Sequence, residues 1–203
     1  MLRNRFPIIF YFTIGFYFLF RSVSFTESIP GVYIRDDVEK ITLGKHIQIL
    51  QDKEGRYTID DVVLKELSKE FLLSEKEIPN FGFTSSVYWV RFKLVNPSEK
   101  EQQILLEAGY PHIDDIQFYF FLDDMMTRSV HGGDLFPMQN NKMFYNHFIT
   151  HVSILPESEI VVYGRFQTES SMQIPLILWK LPAFAEKVDK EKLILGLYLG
   201  VML

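Results

Sequence analysis

Trp89 and Arg91 have the side chains and the spacing of a ligand-binding strand. They alternate with Tyr88 and Val90 in the segment 87–95, and successive side chains of a strand point to opposite faces. One face can therefore enter a core, while the other places an indole beside a guanidinium. The indole can stack on a flat ligand and the guanidinium can hydrogen-bond to it. The alternative is that this second face packs beneath a loop or another domain.

Two further predicted strands carry side chains of the same chemical types. Tyr163, Arg165 and Gln167 share one face of a strand, and Trp179 lies on another strand. Aromatic rings stack on the C–H faces of sugars, while guanidinium, amide and carboxylate groups hydrogen-bond to sugar hydroxyls. Glu107 either joins this surface or forms a buried ion pair with Arg91 or Arg165 that fixes the fold. The predicted ligand-binding residues are Trp89, Arg91, Glu107, Tyr163, Arg165, Gln167 and Trp179.

The sequence gives little support to catalytic or metal chemistry. His147 and His151 are four residues apart, which separates them by roughly 13 Å in a strand, too far to share a metal ion. The acid pairs at 36–37, 114–115 and 123–124 border turns, where Asp is common for backbone reasons, whereas glycoside hydrolysis needs two carboxylates that face each other. No nucleophile-elbow, Walker or dinucleotide-binding motif occurs. We therefore predict no catalytic residue, no metal and no cofactor.

The elements that must position these side chains are mostly strands. Alternating or apolar runs at 31–34, 46–50, 87–95, 103–108, 116–122, 144–155, 160–167 and 174–179 are separated by turn residues. Thr58 and Asp61 form a capping-box pattern that predicts a short amphipathic helix near residues 59–71. Short strands without helices between them predict an all-β fold, an antiparallel jelly-roll-like β-sandwich.

The composition agrees with a β-rich domain and limits the classes of partner to be expected. Of 203 residues, 15% are aromatic, which favours sheet over helix. The net charge is −5 and no basic block occurs, so nucleic acid is not an expected partner. The chain has no cysteine, which excludes disulfides and a catalytic thiol.

Both ends of the chain indicate export and a membrane. Residues 1–24 combine arginines, an uncharged apolar run and a small-residue pattern, which predicts a signal peptide or an uncleaved signal anchor. At the other end, a charged segment at 186–192 leads into eleven apolar residues, 193–203. Such a helix would span about 16 Å, roughly half a bilayer. We interpret 186–203 as a juxtamembrane segment and a truncated first transmembrane helix; a C-terminal core element is the alternative.

Several motifs together resemble a known family. They are NFGFTSSVYWVRF at 80–92, LLE at 105–107, PHID at 111–114 and YGRFQTESSMQIPL at 163–176, with YTIDDV at 57–62 before them. In order and spacing they resemble the type 2 extracellular domain of bacterial seven-transmembrane receptors with diverse intracellular signalling modules (7TMR-DISM), over roughly residues 40–185.

The resemblance implies a periplasmic sandwich, similar to carbohydrate-binding modules, at residues 25–185. In that family it precedes seven membrane helices and a signalling domain. The expected function is therefore a ligand-sensing input domain at the bacterial inner membrane, binding a carbohydrate or similar small ligand. The alternative is a membrane-tethered carbohydrate-binding or scaffolding domain without signalling output.

Overall fold

The fold is a mostly antiparallel, sandwich-like arrangement of two sheets followed by a C-terminal helix. The computed structural model describes residues 28–135 and 147–202. The predicted signal segment 1–24 lies outside these residues, as does the start of the strand predicted at 144–155.

The large sheet contains seven strands in the described part of the chain. These are β1 (Gly31–Tyr33), β3 (Gln48–Asp52), β4 (Leu72–Leu73), β6 (Val87–Asn96), β8 (Asp115–Leu122), β9 (Met125–Gly132) and β11 (Ser158–Gln167). Their order is β4-β3-β6-β11-β8-β9, with β1 also beside β6. The β1–β6 pair is parallel, an exception to the predicted antiparallel order.

The strands of the small sheet are β2 (Lys40–Thr42), β7 (Gln102–Ala108), β10 (Phe148–Ile154) and β13 (Leu176–Lys180). Their order is β10-β7-β13-β2. Separately, β5 (Asn80–Phe83) pairs with β12 (Ser171–Gln173). The core lies between the large and small sheets. Phe92 and Val162 of the large sheet enter it, as do Leu106 and Leu178 of the small sheet.

A second apolar cluster covers the outer face of the large sheet. The predicted helix near 59–71 forms as two short helices, α1 (Ile59–Val62) and α2 (Lys65–Ser68), and the predicted capping box of Thr58 and Asp61 is present. Val62 and Phe71, at 0% exposure, pack with Trp89 on this face. The helical segment 57–71 therefore forms a third layer over β3, β6 and β11.

Strand β9 of the large sheet was not predicted, because most of its residues are exposed and its sequence shows no alternation of polar and apolar residues. The sequence around 127–142 reads as a polar stretch, yet Met125–Gly132 forms the edge strand β9. The turn from β8 uses Asp123 and Asp124 with φ of 48° and 61°, a left-handed conformation that Asp tolerates in hairpin turns. Because an edge strand need not bury either face, it carries little hydrophobic alternation.

The chain ends in a helix that begins directly after β13. This helix, α3 (Leu181–Met202), lies against β13 and β7 of the small sheet. Lys187 reaches Glu107, near the Ala108 end of β7, so α3 folds back along the outer face of the small sheet. No helix among the described residues is both long and apolar enough to cross a membrane.

Candidate functional site

The predicted strand face of Trp89 and Arg91 is buried beneath the segment 57–71. Tyr88 and Val90 enter the main core, as predicted, whereas Trp89 and Arg91 are 0% and 1% exposed on the opposite face. The interpretation that this second face packs under another part of the chain is therefore the one that the structure supports. Tyr163 lies on the same covered face.

The Arg91 guanidinium donates hydrogen bonds to strand β3 on one side and to α2 on the other. Its Nε donates to Gln48 Oε1 at 2.7 Å, and its terminal nitrogens donate to the hydroxyl and carbonyl oxygens of Ser68 at 2.6 and 2.8 Å. The guanidinium also lies 4.3 Å from the centre of the Phe71 ring. Burial raises the pKa of the neighbouring Tyr163, which the positive charge of Arg91 opposes. These contacts tie α2 to the sheet.

Trp89 is fully buried with an unsatisfied indole group. Its Nε1 has no hydrogen-bond partner among the described residues. Its ring stacks at 6.2 Å on Tyr119 of β8, and it lies directly opposite Arg165 of β11. A buried N–H without a partner is uncommon and costs free energy. Trp89 belongs to the apolar cluster and lies next to the polar Arg165, so the apolar cluster meets a group of polar side chains at this position.

Those polar groups form a continuous network on β8, β9 and β11. Gln117 lies opposite Arg165 on one side and His131 on the other. Asp115 connects the strands, because its two carboxylate oxygens lie 2.5 Å from Arg165 Nη1 and 2.5 Å from His131 Nε2. Arg165 also donates to Gln167 Oε1 at 2.8 Å. We name Asp115, Gln117, Tyr119, His131, Arg165 and Gln167 the Arg165 cluster.

The Arg165 cluster is accessible to solvent at its rim and organised at its centre. Gln167 is exposed, while Asp115 and Arg165 each keep 16% of their side chains exposed. Tyr119 donates to Gln117, and burial raises the pKa of Tyr119 even though the positive Arg165 opposes it. Guanidinium and amide N–H donors therefore stand beside carboxylate and amide acceptors, which suits an uncharged ligand with several hydroxyls.

Glu107 and Trp179 lie on the outer face of the small sheet. Glu107 is 0% exposed and Trp179 8% exposed, and Trp179 Nε1 donates to Glu107 Oε2 at 2.6 Å. Because Arg91 and Arg165 lie on the outer face of the large sheet, on the other side of the core, the alternative ion pairs Arg91–Glu107 and Arg165–Glu107 are wrong. The structure divides the seven predicted residues between two faces that point away from each other.

The charge of Glu107 is instead balanced by a residue of α3. Lys187 Nζ lies 2.8 Å from Glu107 Oε1, and His147 Nδ1 lies 2.6 Å from the same oxygen. Lys187 also sits 5.3 Å from the centre of the Trp179 ring. We name Glu107, His147, Trp179 and Lys187 the Glu107 node.

A separate crevice of about 540 Å³ lies at the other edge of the large sheet, between β3–β4 and β5. Leu72 and Leu73 form one wall, and the stacked pair Phe81 and Tyr88 forms another, with 4.0 Å between ring centres. None of the seven predicted residues lines it.

Several polar residues of these sites were missed in the sequence. Asp115, Gln117 and Tyr119 share one strand parity, which is a signal for a polar face, but the sequence does not reveal that β11 lies beside them. His131 lies on the unpredicted strand β9. Lys187 lies in a charged run whose default interpretation is a solvated helix face.

Comparison with protein-family models identifies a family. No curated protein matches the chain. The family model described as "7TMR-DISM extracellular 2" matches residues 44–180. This range includes every described strand except β1 and β2, the Arg165 cluster, and all of the Glu107 node except Lys187. This match agrees with the resemblance carried by the sequence motifs. The chain therefore belongs to the 7TMR-DISM extracellular 2 family and contains the extracellular, sensing domain of a membrane receptor.

Proposed function

We propose that this domain senses a carbohydrate or a similar small polyhydroxy ligand in the periplasm, at the bacterial inner membrane, through the Arg165 cluster. The observation that carries the proposal is the network of six polar side chains on three adjacent strands, open to solvent at Gln167 and His131. The jelly-roll order that the family resemblance implies is part of the same proposal, since such sandwiches serve as sugar-binding scaffolds.

The network has the mixed polarity that a sugar requires. Hydroxyl groups both donate and accept hydrogen bonds. Arg165 is a fixed fork of donors, Asp115 is an acceptor, and the exposed amide of Gln167 is both. Because strands rather than loops hold these groups, their geometry is set before a ligand arrives.

The remaining predicted residues take different parts in this proposal. Trp89 lies beside Arg165 on the neighbouring strand β6 and stacks on Tyr119, so it flanks the cluster. Arg91 and Tyr163 hold the covering segment 57–71 in place. Glu107 and Trp179 lie against α3 and belong to the output side of the domain.

The exposed half of α3 supports a membrane location. Residues 193–201 are apolar throughout yet exposed, with Ile194 at 67% and Val201 at 88%. A helix that is apolar on all sides requires an apolar environment. We propose that residues 186–192 form the juxtamembrane segment and that a first transmembrane helix starts at about Leu193.

The two tryptophans of the chain provide a direct test. In Trp179→Phe, the emission comes from Trp89, which touches the Arg165 cluster. The full chain in detergent would be screened on a glycan array, and hits would be titrated by Trp89 fluorescence and calorimetry. Loss of one hydrogen bond to the sugar in Gln167→Ala should weaken binding about tenfold.

Gln103→Ala is the matched control, because Gln103 is an exposed amide on the small sheet. Its affinity should equal that of the parent chain. The proposal is wrong if no glycan binds, or if Gln167→Ala and Arg165→Met bind as tightly as Gln103→Ala.

The alternative function is a tethered carbohydrate-binding domain without signalling output. It predicts the same binding at the Arg165 cluster but no response in α3. In Trp89→Phe, the emission of Trp179 reports on α3, because Trp179 contacts Phe184 and Lys187. A Trp179 signal that stays constant at saturating ligand would favour the tethered domain over the sensor.

A further inference from the structure

In the Glu107 node, a buried carboxylate is paired with a lysine of helix α3. Glu107 is 0% exposed, and a buried carboxylate that loses its partners is strongly unfavourable. The partners of Glu107 come from two parts of the protein, the sandwich and α3. Trp179 and His147 belong to the sandwich, whereas Lys187 belongs to α3.

Between α3 and the described part of the sandwich, the remaining contact is limited. Among the α3 residues whose exposure is described, none is fully buried, and the half-buried ones are Ala183, Phe184, Lys187 and Val188. Their spacing defines one narrow face of the helix. Phe184 meets Trp179 edge-on, with 6.2 Å between ring centres. Because so little apolar surface is covered, the Lys187–Glu107 pair is a large part of what holds α3 in place.

Each member of the pair also has a second partner, which it would keep if the pair separated. Lys187 Nζ is 3.7 Å from Glu191, its i+4 neighbour on α3, and the Glu191 side chain is 50% exposed. If α3 moves away, Lys187 keeps Glu191 while Glu107 keeps His147 and Trp179. Separation therefore leaves neither charge without a polar neighbour, which makes a second arrangement accessible.

We propose that the Glu107–Lys187 pair is an electrostatic latch between the sandwich and α3. In the latched state Lys187 binds Glu107. In the released state Lys187 turns to Glu191, and α3 separates from the small sheet by a hinge at Lys180 and Leu181, where β13 passes into α3 without a loop. Lys187 and Leu193 are about 9 Å apart along the helix, so release acts close to the proposed membrane boundary.

The response of the latch to a ligand rests on the proposed function. A ligand changes the balance of two states only if it binds one of them more tightly. The existence of the latch is a property of the chain alone, so it can be tested without a ligand and fails or succeeds independently of carbohydrate binding.

Hydrogen exchange of the α3 backbone amides in the full chain measures release. Lys187→Met should accelerate exchange at residues 183–188 about tenfold, because the methionine keeps the stem and removes the charge. Lys190→Met is the matched control, since Lys190 pairs with Glu186 on the exposed side of α3 at 2.6 Å. It should change exchange at these residues less than twofold.

Two further variants separate a latch from simple structural damage. Glu191→Gln removes the alternative partner of Lys187 and should slow exchange at residues 183–188. Adding Glu107→Gln to Lys187→Met removes the buried charge that has lost its lysine, so the double variant should be more stable than Lys187→Met alone. The proposal is overturned if Lys187→Met resembles Lys190→Met, if Glu191→Gln accelerates exchange, or if the double variant is less stable than Lys187→Met.

Discussion

Arg91 and Ser68 are joined by two hydrogen bonds, from Nη1 to the hydroxyl at 2.6 Å and from Nη2 to the carbonyl oxygen at 2.8 Å. This pair connects the central strand β6 to α2, twenty-three residues earlier in the chain. Arg91 thus uses its fork of donors within the protein. Its position beside Trp89 helps to assemble the covering layer over the large sheet.

We expect Arg91→Met to destabilise the fold by about 3 kcal/mol, because it strands buried acceptors on Gln48 and Ser68. The segment 57–71 should become accessible to protease. Chemical denaturation and limited proteolysis would measure both effects. Lys93→Met, on the same face of β6 but bonded to the exposed Glu159, is the control and should cost less than 1 kcal/mol. Equal effects of the two variants would contradict this role for Arg91.

The main core could be predicted from β6 because alternation decides which side chains enter it. Tyr88, Val90, Phe92 and Leu94 all lie in that core. The same alternation could not show what covers Trp89, because that depends on the segment 57–71, which folds over the sheet from an earlier part of the chain.

The two sites depend even more on long-range contacts. Lys187 reaches Glu107 across 80 residues, and Arg165 reaches Asp115 across 50. Local patterns carry no signal for such pairs, whereas the capping box of Thr58 and Asp61 spans only three residues and was predicted correctly.

Asn96 gives a second prediction, because its buried amide ties the end of β6 to neighbouring backbone. The amide nitrogen donates to the carbonyl oxygens of Lys100, Ile154 and Leu155 at 2.7, 3.0 and 2.8 Å. Asn96→Asp places a carboxylate against these oxygens, which should destabilise the fold by about 3 kcal/mol at neutral pH. Thermal unfolding would measure this loss.

The loss should depend on pH in a defined direction. Burial against carbonyl oxygens raises the pKa of an introduced aspartate above about 3.9, so its protonated form is favoured in the folded state. Stability should be greatest below the unfolded pKa and fall as pH rises through the folded one. Asn80→Asp is the control, because Asn80 is exposed and its side-chain oxygen accepts a hydrogen bond from the Gly82 N–H. An acid recovery equal in both variants would refute the prediction.

A substitution at Gly164 tests how tightly the side chains around β11 are packed. A Cβ at this position would lie 2.8 Å from Val90 Cγ2 and 2.9 Å from both Phe118 Cε1 and Phe166 Cε2. Gly164→Ala should therefore cost about 2 kcal/mol through overpacking, measured by urea denaturation. Gly31→Ala is the control, since its new Cβ would meet Val95 at 3.6 Å, an ordinary contact. A Gly164→Ala protein as stable as Gly31→Ala would show that the core can expand at this point.

The burial of Tyr163 predicts how the free energy of unfolding changes at alkaline pH. Burial raises the pKa of Tyr163, and the opposing charge of Arg91 does not reverse the direction. A group whose folded pKa is raised contributes stability that is complete below its unfolded pKa of about 10 and is lost as pH rises through the folded pKa. Tyr163→Phe should therefore reduce the slope of unfolding free energy against pH between about 9 and 11. Tyr33→Phe, at a site 56% exposed, is the control, and equal slopes in the two variants would show that the buried hydroxyl does not govern the alkaline loss.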